Sequence, residues 1–383
     1  ERVSLADRKM CFPPCRLRPG SSAGRILTMR SNDPRQTVFL DGQVADVCRR
    51  LMPAFEPVSI EPAVAESSAC RSVYRVADRK GTQRLLKLFL DDDRRGADED
   101  ALATEAAALR QLHGLGCPVP ELIASDAAVG AIATEWLPGD TLESRLQSGA
   151  IGPEERRAVV RALVAVDIAF RGLTEAQEAE RRERVKTELG SRLREDILDL
   201  KAGPPWFVRP GHTGRWNRAL DEAIELLIIG EWSHGSLDCS ASNIVLANGL
   251  AYIIDLSILG AEWRERRAVR YGIATGSDRD GSGSMTLFDS ATASFYSDMA
   301  GVTESGDEIT ARLDLHHLLL LLRALNRTGD VKTTGEWTAG GGANGGRVVE
   351  SGDRELLAIA HRPLGPGQLG DSLRACLISS GIQ

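Results

Sequence analysis

From Val58 onward, apolar positions recur in short alternating runs, and Ser72-Val73-Tyr74-Arg75-Val76 with Arg84-Leu85-Leu86-Lys87-Leu88-Phe89-Leu90 reads as two strands around a turn at Lys80-Gly81. From Ala101 to Leu112 the spacing becomes helical. Ala131 to Leu137 reads as a further strand that ends at Pro138-Gly139-Asp140, and Thr141 opens a helix. Helical spacing then dominates from Pro153 to Glu231, with a charged stretch, Glu175 to Arg184, that reads as a solvated face and a break at Gly203-Pro204-Pro205-Trp206. The runs Ile244-Val245-Leu246 and Tyr252-Ile253-Ile254 predict a hairpin, Leu313 to Leu325 an apolar helix, and Arg354 to Ile382 a closing helix pair joined at Pro363 to Gly367. Gly276 to Ser284 and residues 339–346 read as loop. Ahead of Val58, an amphipathic helix around Val44 to Leu51 is the one regular feature. The chain therefore divides into an N-terminal extension (1–50), a strand-rich region (51–138) and a helical region (139–383).

Composition narrows the class. With 383 residues the chain has room for one two-lobed enzyme or two average domains, and for a large core. A net charge of −7 gives no reason to expect nucleic acid as partner. No run approaches the roughly 20 apolar residues of a membrane span. The seven cysteines are scattered and lack paired Cys-x2-Cys spacing, which suits a reducing compartment and predicts a cytoplasmic protein. Lysine is scarce beside arginine: Lys9, Lys80, Lys87, Lys186, Lys201 and Lys332 are the whole set. Lys87, inside an apolar strand, is thus conspicuous, although edge-strand lysines also snorkel to solvent.

The candidate chemistry centres on His234-Gly235-Ser236-Leu237-Asp238-Cys239-Ser240-Ala241-Ser242-Asn243 and on Asp255, which ends the second run of the hairpin. Two carboxylates and an amide at this spacing suit phosphoryl transfer: the amide and one carboxylate hold a divalent ion while the other carboxylate takes a hydroxyl proton. These motifs resemble the protein-kinase-like superfamily, especially its small-molecule branch of aminoglycoside, choline and lipopolysaccharide-sugar kinases. The resemblance spans roughly Val58 to Leu325, in the order Lys87, Glu105, Glu135, Asp238, Asn243, Asp255, Asp314. Two registers are available. Asp238 and Asn243 keep the superfamily's Asp-to-Asn spacing, with Ser236 in its histidine's place; alternatively His234-Gly235-Ser236-Leu237 matches the antibiotic kinases' His-Gly-Asp-Leu, with Ser236 where the base should be. Asp238 is favoured because serine does not accept a proton near neutral pH. Asp255-Leu256-Ser257 stands where the superfamily has Asp-Phe-Gly.

The resemblance implies an α+β, two-lobed protein-kinase-like fold: a small antiparallel-sheet N-lobe with one main helix and a larger, mostly helical C-lobe. It implies an ATP- and Mg2+-dependent phosphotransferase acting on a hydroxyl of a small molecule or glycan. Lys87, held by Glu105 (or, less well placed, Glu99), would grip the α- and β-phosphates. Ser67 and Ser68 would lie in the phosphate-covering loop, which contains no glycine, and the backbone from Glu135 to Leu137 would meet the adenine. Asn243 and Asp255 would hold magnesium, Asp238 would be the catalytic base, and Asp314 would steady the catalytic loop from its helix. Arg264, Arg266, Arg267 and Arg270 follow Asp255 and predict an acceptor with negative charge; Glu262 and Glu265 offer the alternative of a solvated, self-neutralised helix. The departures at Ser236, at Ser257 and in the glycine-free loop keep two rivals in view: a catalytically impaired pseudokinase serving as a nucleotide-binding or scaffold module, and a protein kinase or AMP transferase.

Overall fold

In the computed structural model, which describes residues 29–30, 37–38, 41–63, 71–89, 95–174, 179–202, 206–273, 286–301, 304–333 and 351–378, the alternating runs form a five-stranded antiparallel sheet. The described chain forms two compact units. Unit one falls within Glu1–Pro138, Arg171–Ala176 and Tyr252–Leu259; unit two takes Gly139–Phe170, Gln177–Ala251 and Gly260–Gln383.

Unit one runs β1 (Met29–Arg30), β2 (Thr37–Val38), α1 (Asp41–Leu51), β3 (Pro57–Pro62), β4 (Arg71–Asp78), β5 (Gln83–Phe89), α2 (Arg95–Gly114), β6 (Leu122–Asp126) and β7 (Ala131–Glu135). The sheet order is β3-β4-β5-β7-β6, so β5 is central. Side chains alternate across a strand, and the two faces have different covers. Leu86 and Leu88 of β5 join Tyr74, Val76, Ala131 and Ala133 in a core with Val44, Val47, Cys48 and Leu51 of α1. On the other face Ile132 packs with Leu102 and Ala106 of α2. The helix from Asp41 thus supplies four of the twelve buried residues of this core, although it begins inside the stretch read as an extension.

Unit two contains β8 (Asp140–Thr141), α3 (Leu142–Gln147), α4 (Pro153–Thr174), α5 (Ala179–Lys201), α6 (Thr213–Ile228), β9 (Trp232–Ser236), β10 (Ile244–Ala247), β11 (Leu250–Ile253) and β12 (Leu259–Trp263). The remaining helices are α7 (Arg264–Tyr271), α8 (Ser290–Ala300), α9 (Gly306–Thr333), α10 (Ser351–Ala360) and α11 (Gln368–Arg374). The last four residues of α4, the last two of β11 and the first of β12 belong to unit one. A core of Leu193, Trp216, Leu220, Leu318, Leu322, Leu373 and their neighbours joins α5, α6, α9 and α11. β10 and β11 meet at Asn248-Gly249, both with positive φ (53° and 76°), the conformation that a two-residue hairpin turn requires and that Asn-Gly favours. β10 also pairs with β8; Gly139 lies so close that a Cβ there would meet Leu246 O at 2.0 Å. A small antiparallel-sheet unit with one long covering helix, α2, and a mostly helical unit make up the α+β, two-lobed protein-kinase-like fold. No described helix is long and apolar enough to cross a membrane.

Candidate active site

Alternation along β5 determines where its lysine goes. With Leu86 and Leu88 committed to the α1 face, Lys87 points to the α2 face, opposite Val73 on β4 and Ile132 on β7. There it is 7% exposed, and Glu105 of α2 is 4% exposed. A lone charge at that depth costs several kcal/mol, so its partners matter. Lys87 Nζ donates to Glu105 Oε2 at 2.7 Å and to Asp255 Oδ1 at 2.8 Å, and stands 5.4 Å from the centre of the Phe89 ring. Asp255 reaches unit one along the end of β11, where Ile253 N–H donates to Pro118 O at 2.9 Å. Ser257 Oγ donates to the same Asp255 Oδ1 at 2.7 Å, so the residue in the position of the superfamily's glycine braces the carboxylate. Asp255 has φ 56°, a left-handed conformation uncommon outside glycine that concentrates at functional sites.

At the end of β7, Glu135 is already engaged. Its N–H donates to Glu121 O (3.0 Å), its carbonyl accepts from Thr134 Oγ1 (3.1 Å), and its carboxylate accepts from Glu121 N–H (3.0 Å). Trp136 and Leu137 have no backbone hydrogen-bond partner among the described residues, so of the stretch expected to meet the adenine these two keep backbone groups in reserve. Ser67 and Ser68 lie outside the described residues, as do Gly276 to Ser284 and residues 339–346.

In unit two, β9 delivers Ser236 into the interior, where it is 2% exposed, accepts from Asp238 N–H at 3.2 Å and is hydrogen-bonded to the Tyr271 phenol. Burial raises the phenol's pKa, keeping it neutral. Asp238 itself is exposed. Asn243 closes a single 3-10 turn, Ala241–Asn243, and its Nδ2 donates to Asp238 O at 2.9 Å, leaving its carbonyl oxygen as the acceptor end of the amide. Cys239 between them is buried, and burial pushes its thiol up to about 11, so it is not a nucleophile at neutral pH.

The arginines of α7, expected to face an anionic acceptor, are each engaged by groups of the protein itself. Arg264 binds Asp167 (2.7 Å) and Glu231 (3.3 Å) and is 4% exposed; burial alone would lower its pKa, but surrounding acidic groups raise it. Arg266 binds Asp196 (2.7 Å) and approaches Glu262 (3.7 Å). Arg267 is 7% exposed and donates to the Ser233 and His234 carbonyls; Arg270 donates to Leu237 O. These guanidinium groups serve the protein's own acids and the strand leading to Asp238. Asp167 was missed in the sequence, where a single acid within Leu163-Val164-Ala165-Val166-Asp167-Ile168-Ala169-Phe170 is the signal.

Asp314 also departs from expectation. It lies inside α9, fully buried, accepting from Leu364 N–H (2.9 Å) and from Arg374 Nη1 (2.9 Å) and Nη2 (2.5 Å). It therefore ties the C-terminal helices to α9, whereas α7 holds the segment from Ser233 to Leu237. His316 and His317 are buried beside it; burial, followed by nearby arginines, lowers both pKa values, His317 to about 3.

A buried strand lysine clasped by a helix carboxylate and by the acid after a hairpin, in this fold, defines a kinase-like phosphotransferase of the small-molecule branch. The phosphotransferase enzyme family, defined at the sequence level, matches residues 64–268, more than half of the 383 residues, and the chain belongs to that family. It is a phosphotransferase with an alcohol group as acceptor. Among solved structures it is similar to the macrolide 2'-phosphotransferase MphH from Brachybacterium faecium (12% identity, 77% of this chain and 93% of that one, TM-score 0.48). It is also similar to the amicoumacin kinase hAmiN, solved with AMP-PNP, Ca2+ and Ami (14%, 86% and 96%, 0.46), and to a choline kinase from Cryptosporidium parvum (11%, 76% and 92%, 0.44). No curated protein sequence matches the chain.

Proposed function

We propose that the protein transfers the γ-phosphoryl group of ATP, with magnesium, to a hydroxyl of a small molecule or glycan in the cytoplasm. The observation that carries this reading is the clasp on Lys87: Glu105 at 2.7 Å and Asp255 at 2.8 Å. Its carboxylates sit in a largely desolvated place, and hard oxygen donors such as the Asp255 carboxylate and the Asn243 amide oxygen would suit magnesium. Bound magnesium neutralises charge that develops on the transferring phosphoryl group. Lys87, kept in place by Glu105, orients the α- and β-phosphates; the Leu137 backbone receives the adenine; Ser67 and Ser68 cover the phosphates. The exposed carboxylate of Asp238 accepts the hydroxyl proton, while Ser236, buried and hydrogen-bonded, shapes the loop.

Incubation of the purified protein with MgATP and a panel of aminoglycosides, macrolides, choline-like amines, acidic and neutral sugars and a generic protein, followed by mass spectrometry, tests the reading. A product heavier by one phosphoryl group on a small molecule is expected. An AMP adduct, or modification of the protein substrate alone, overturns it. A MgATP-dependent thermal shift without any turnover replaces it with a nucleotide-binding module.

A further inference from the structure

We propose that Arg267 is a positioning residue for phosphoryl transfer: its guanidinium fork sets the backbone from Ser233 to Asp238 and so aims the carboxylate of Asp238. The inference rests on the role of Asp238 given above. One guanidinium grips both strands of the β9–β12 pair. Nη2 donates to Ser233 O at 2.7 Å and to Gly260 O at 3.3 Å; Nη1 donates to Ser233 Oγ at 2.6 Å and to His234 O at 3.2 Å.

Successive carbonyls of a regular strand point in opposite directions, so gripping those of residues 233 and 234 from one side fixes a twist just ahead of the catalytic motif. Gly235 allows it: a Cβ there would lie 2.8 Å from Arg267 Cζ and Nη1. One helical turn later, Arg270 takes the carbonyl of Leu237 at 3.0 Å. From Ser233 to Leu237, three carbonyls are therefore held by α7, and Asp238 is the next residue. Asp167 of α4 anchors the fork from behind, 3.6 Å from Nη1, accepting also from Ser233 Oγ and from Arg264 Nε at 2.7 Å. A lysine would keep the charge beside Asp167 but not the several parallel donors. The fork, rather than the charge, is what orders the loop.

The test compares Arg267→Lys and Arg267→Met with Arg374→Met, which breaks the buried pair with Asp314 elsewhere in unit two. Hydrogen exchange of the amides of residues 234–238 and steady-state kinetics with MgATP are measured on the full chain. In both Arg267 variants, exchange at 234–238 is expected to rise about 10-fold more than in α9, and kcat to fall about 10- to 100-fold with KM for ATP within about twofold. In Arg374→Met, exchange at 234–238 is expected to follow the rest of unit two. Unchanged exchange at 234–238 in Arg267→Lys, or a rise no larger than in α9, overturns the inference; if Arg267→Met does not fold, Arg267→Lys decides alone. Exchange needs no acceptor, so a wild type without turnover removes the proposed function while this result still stands or falls.

Discussion

Lys87 and Asp255 stand 168 positions apart in the sequence and 2.8 Å apart in space. A contact of that range closes only if the hairpin and the sheet are both formed, and it turns a strand lysine into the centre of a charged site. Glu105 supplies the other half of the clasp from α2.

Replacement of Lys87 separates its two duties. Lys87→Met should abolish the MgATP-dependent thermal shift, and it removes the ammonium from the buried Glu105 carboxylate, which costs about 3 kcal/mol. The double variant Lys87→Met/Glu105→Leu should recover most of that stability and none of the nucleotide response. Urea melts that find single and double variants equally stable would exclude the buried clasp.

At Asp255 the chemistry and the backbone are separable. Both Asp255→Ala and Asp255→Asn should lose magnesium-dependent nucleotide binding, since each removes the carboxylate. The asparagine variant should be more stable by about 1 kcal/mol, because asparagine tolerates the left-handed φ better than alanine. Thermal melts with ATP alone and with MgATP check both points.

The two registers of the catalytic motif predict opposite rankings. With Asp238 as the base, Asp238→Asn should lower kcat by about 100-fold or more, with nucleotide affinity little changed. Ser236→Ala should be mild in turnover and cost about 1 kcal/mol in stability for the lost buried hydrogen bond. Kinetics showing the reverse order would move the base to the other register.

Acid should weaken unit two through His316 and His317. Their folded pKa values are depressed, so below the ordinary value of 6.5 the unfolded chain binds protons that the folded chain refuses. Stability is therefore full above about pH 6.5 and falls with pH toward about 3 for His317, each histidine contributing on the order of 1–2 kcal/mol of loss by pH 5. His317→Leu should flatten the pH dependence of the denaturation midpoint between pH 7.5 and pH 5; an unchanged slope would refute the assignment.

Much of this site was legible because it depends on local periodicity. Lys87 interrupts a strand pattern and Glu105 follows at helical spacing, so the pair needs only a strand and a helix that pack. The hairpin before Asp255 was marked by its two apolar runs. What periodicity does not reveal is the partner of a charge. The arginines of α7 read as a surface facing an acceptor because their counter-charges lie far away in sequence: Asp167 is 97 positions from Arg264 and Asp196 is 70 from Arg266. Likewise Asp314 gave no sign that its partner would be Arg374, 60 positions later. The amphipathic pattern of Val44 to Leu51 predicted a helix, but not which face of the sheet it would cover.

The clasp also has a schedule. Lys87 and Glu105 emerge from the ribosome together with their sheet, but the residues Tyr252–Leu259 that complete unit one are encoded after Gly139–Phe170 and Gln177–Ala251 of unit two. At a synthesis rate of about 5–20 residues per second, the 168 residues between Lys87 and Asp255 take about 8 to 34 seconds to make. Through that interval the nascent sheet has a single carboxylate on its lysine, and its finishing segment arrives only after the chain has left for the other unit and returned.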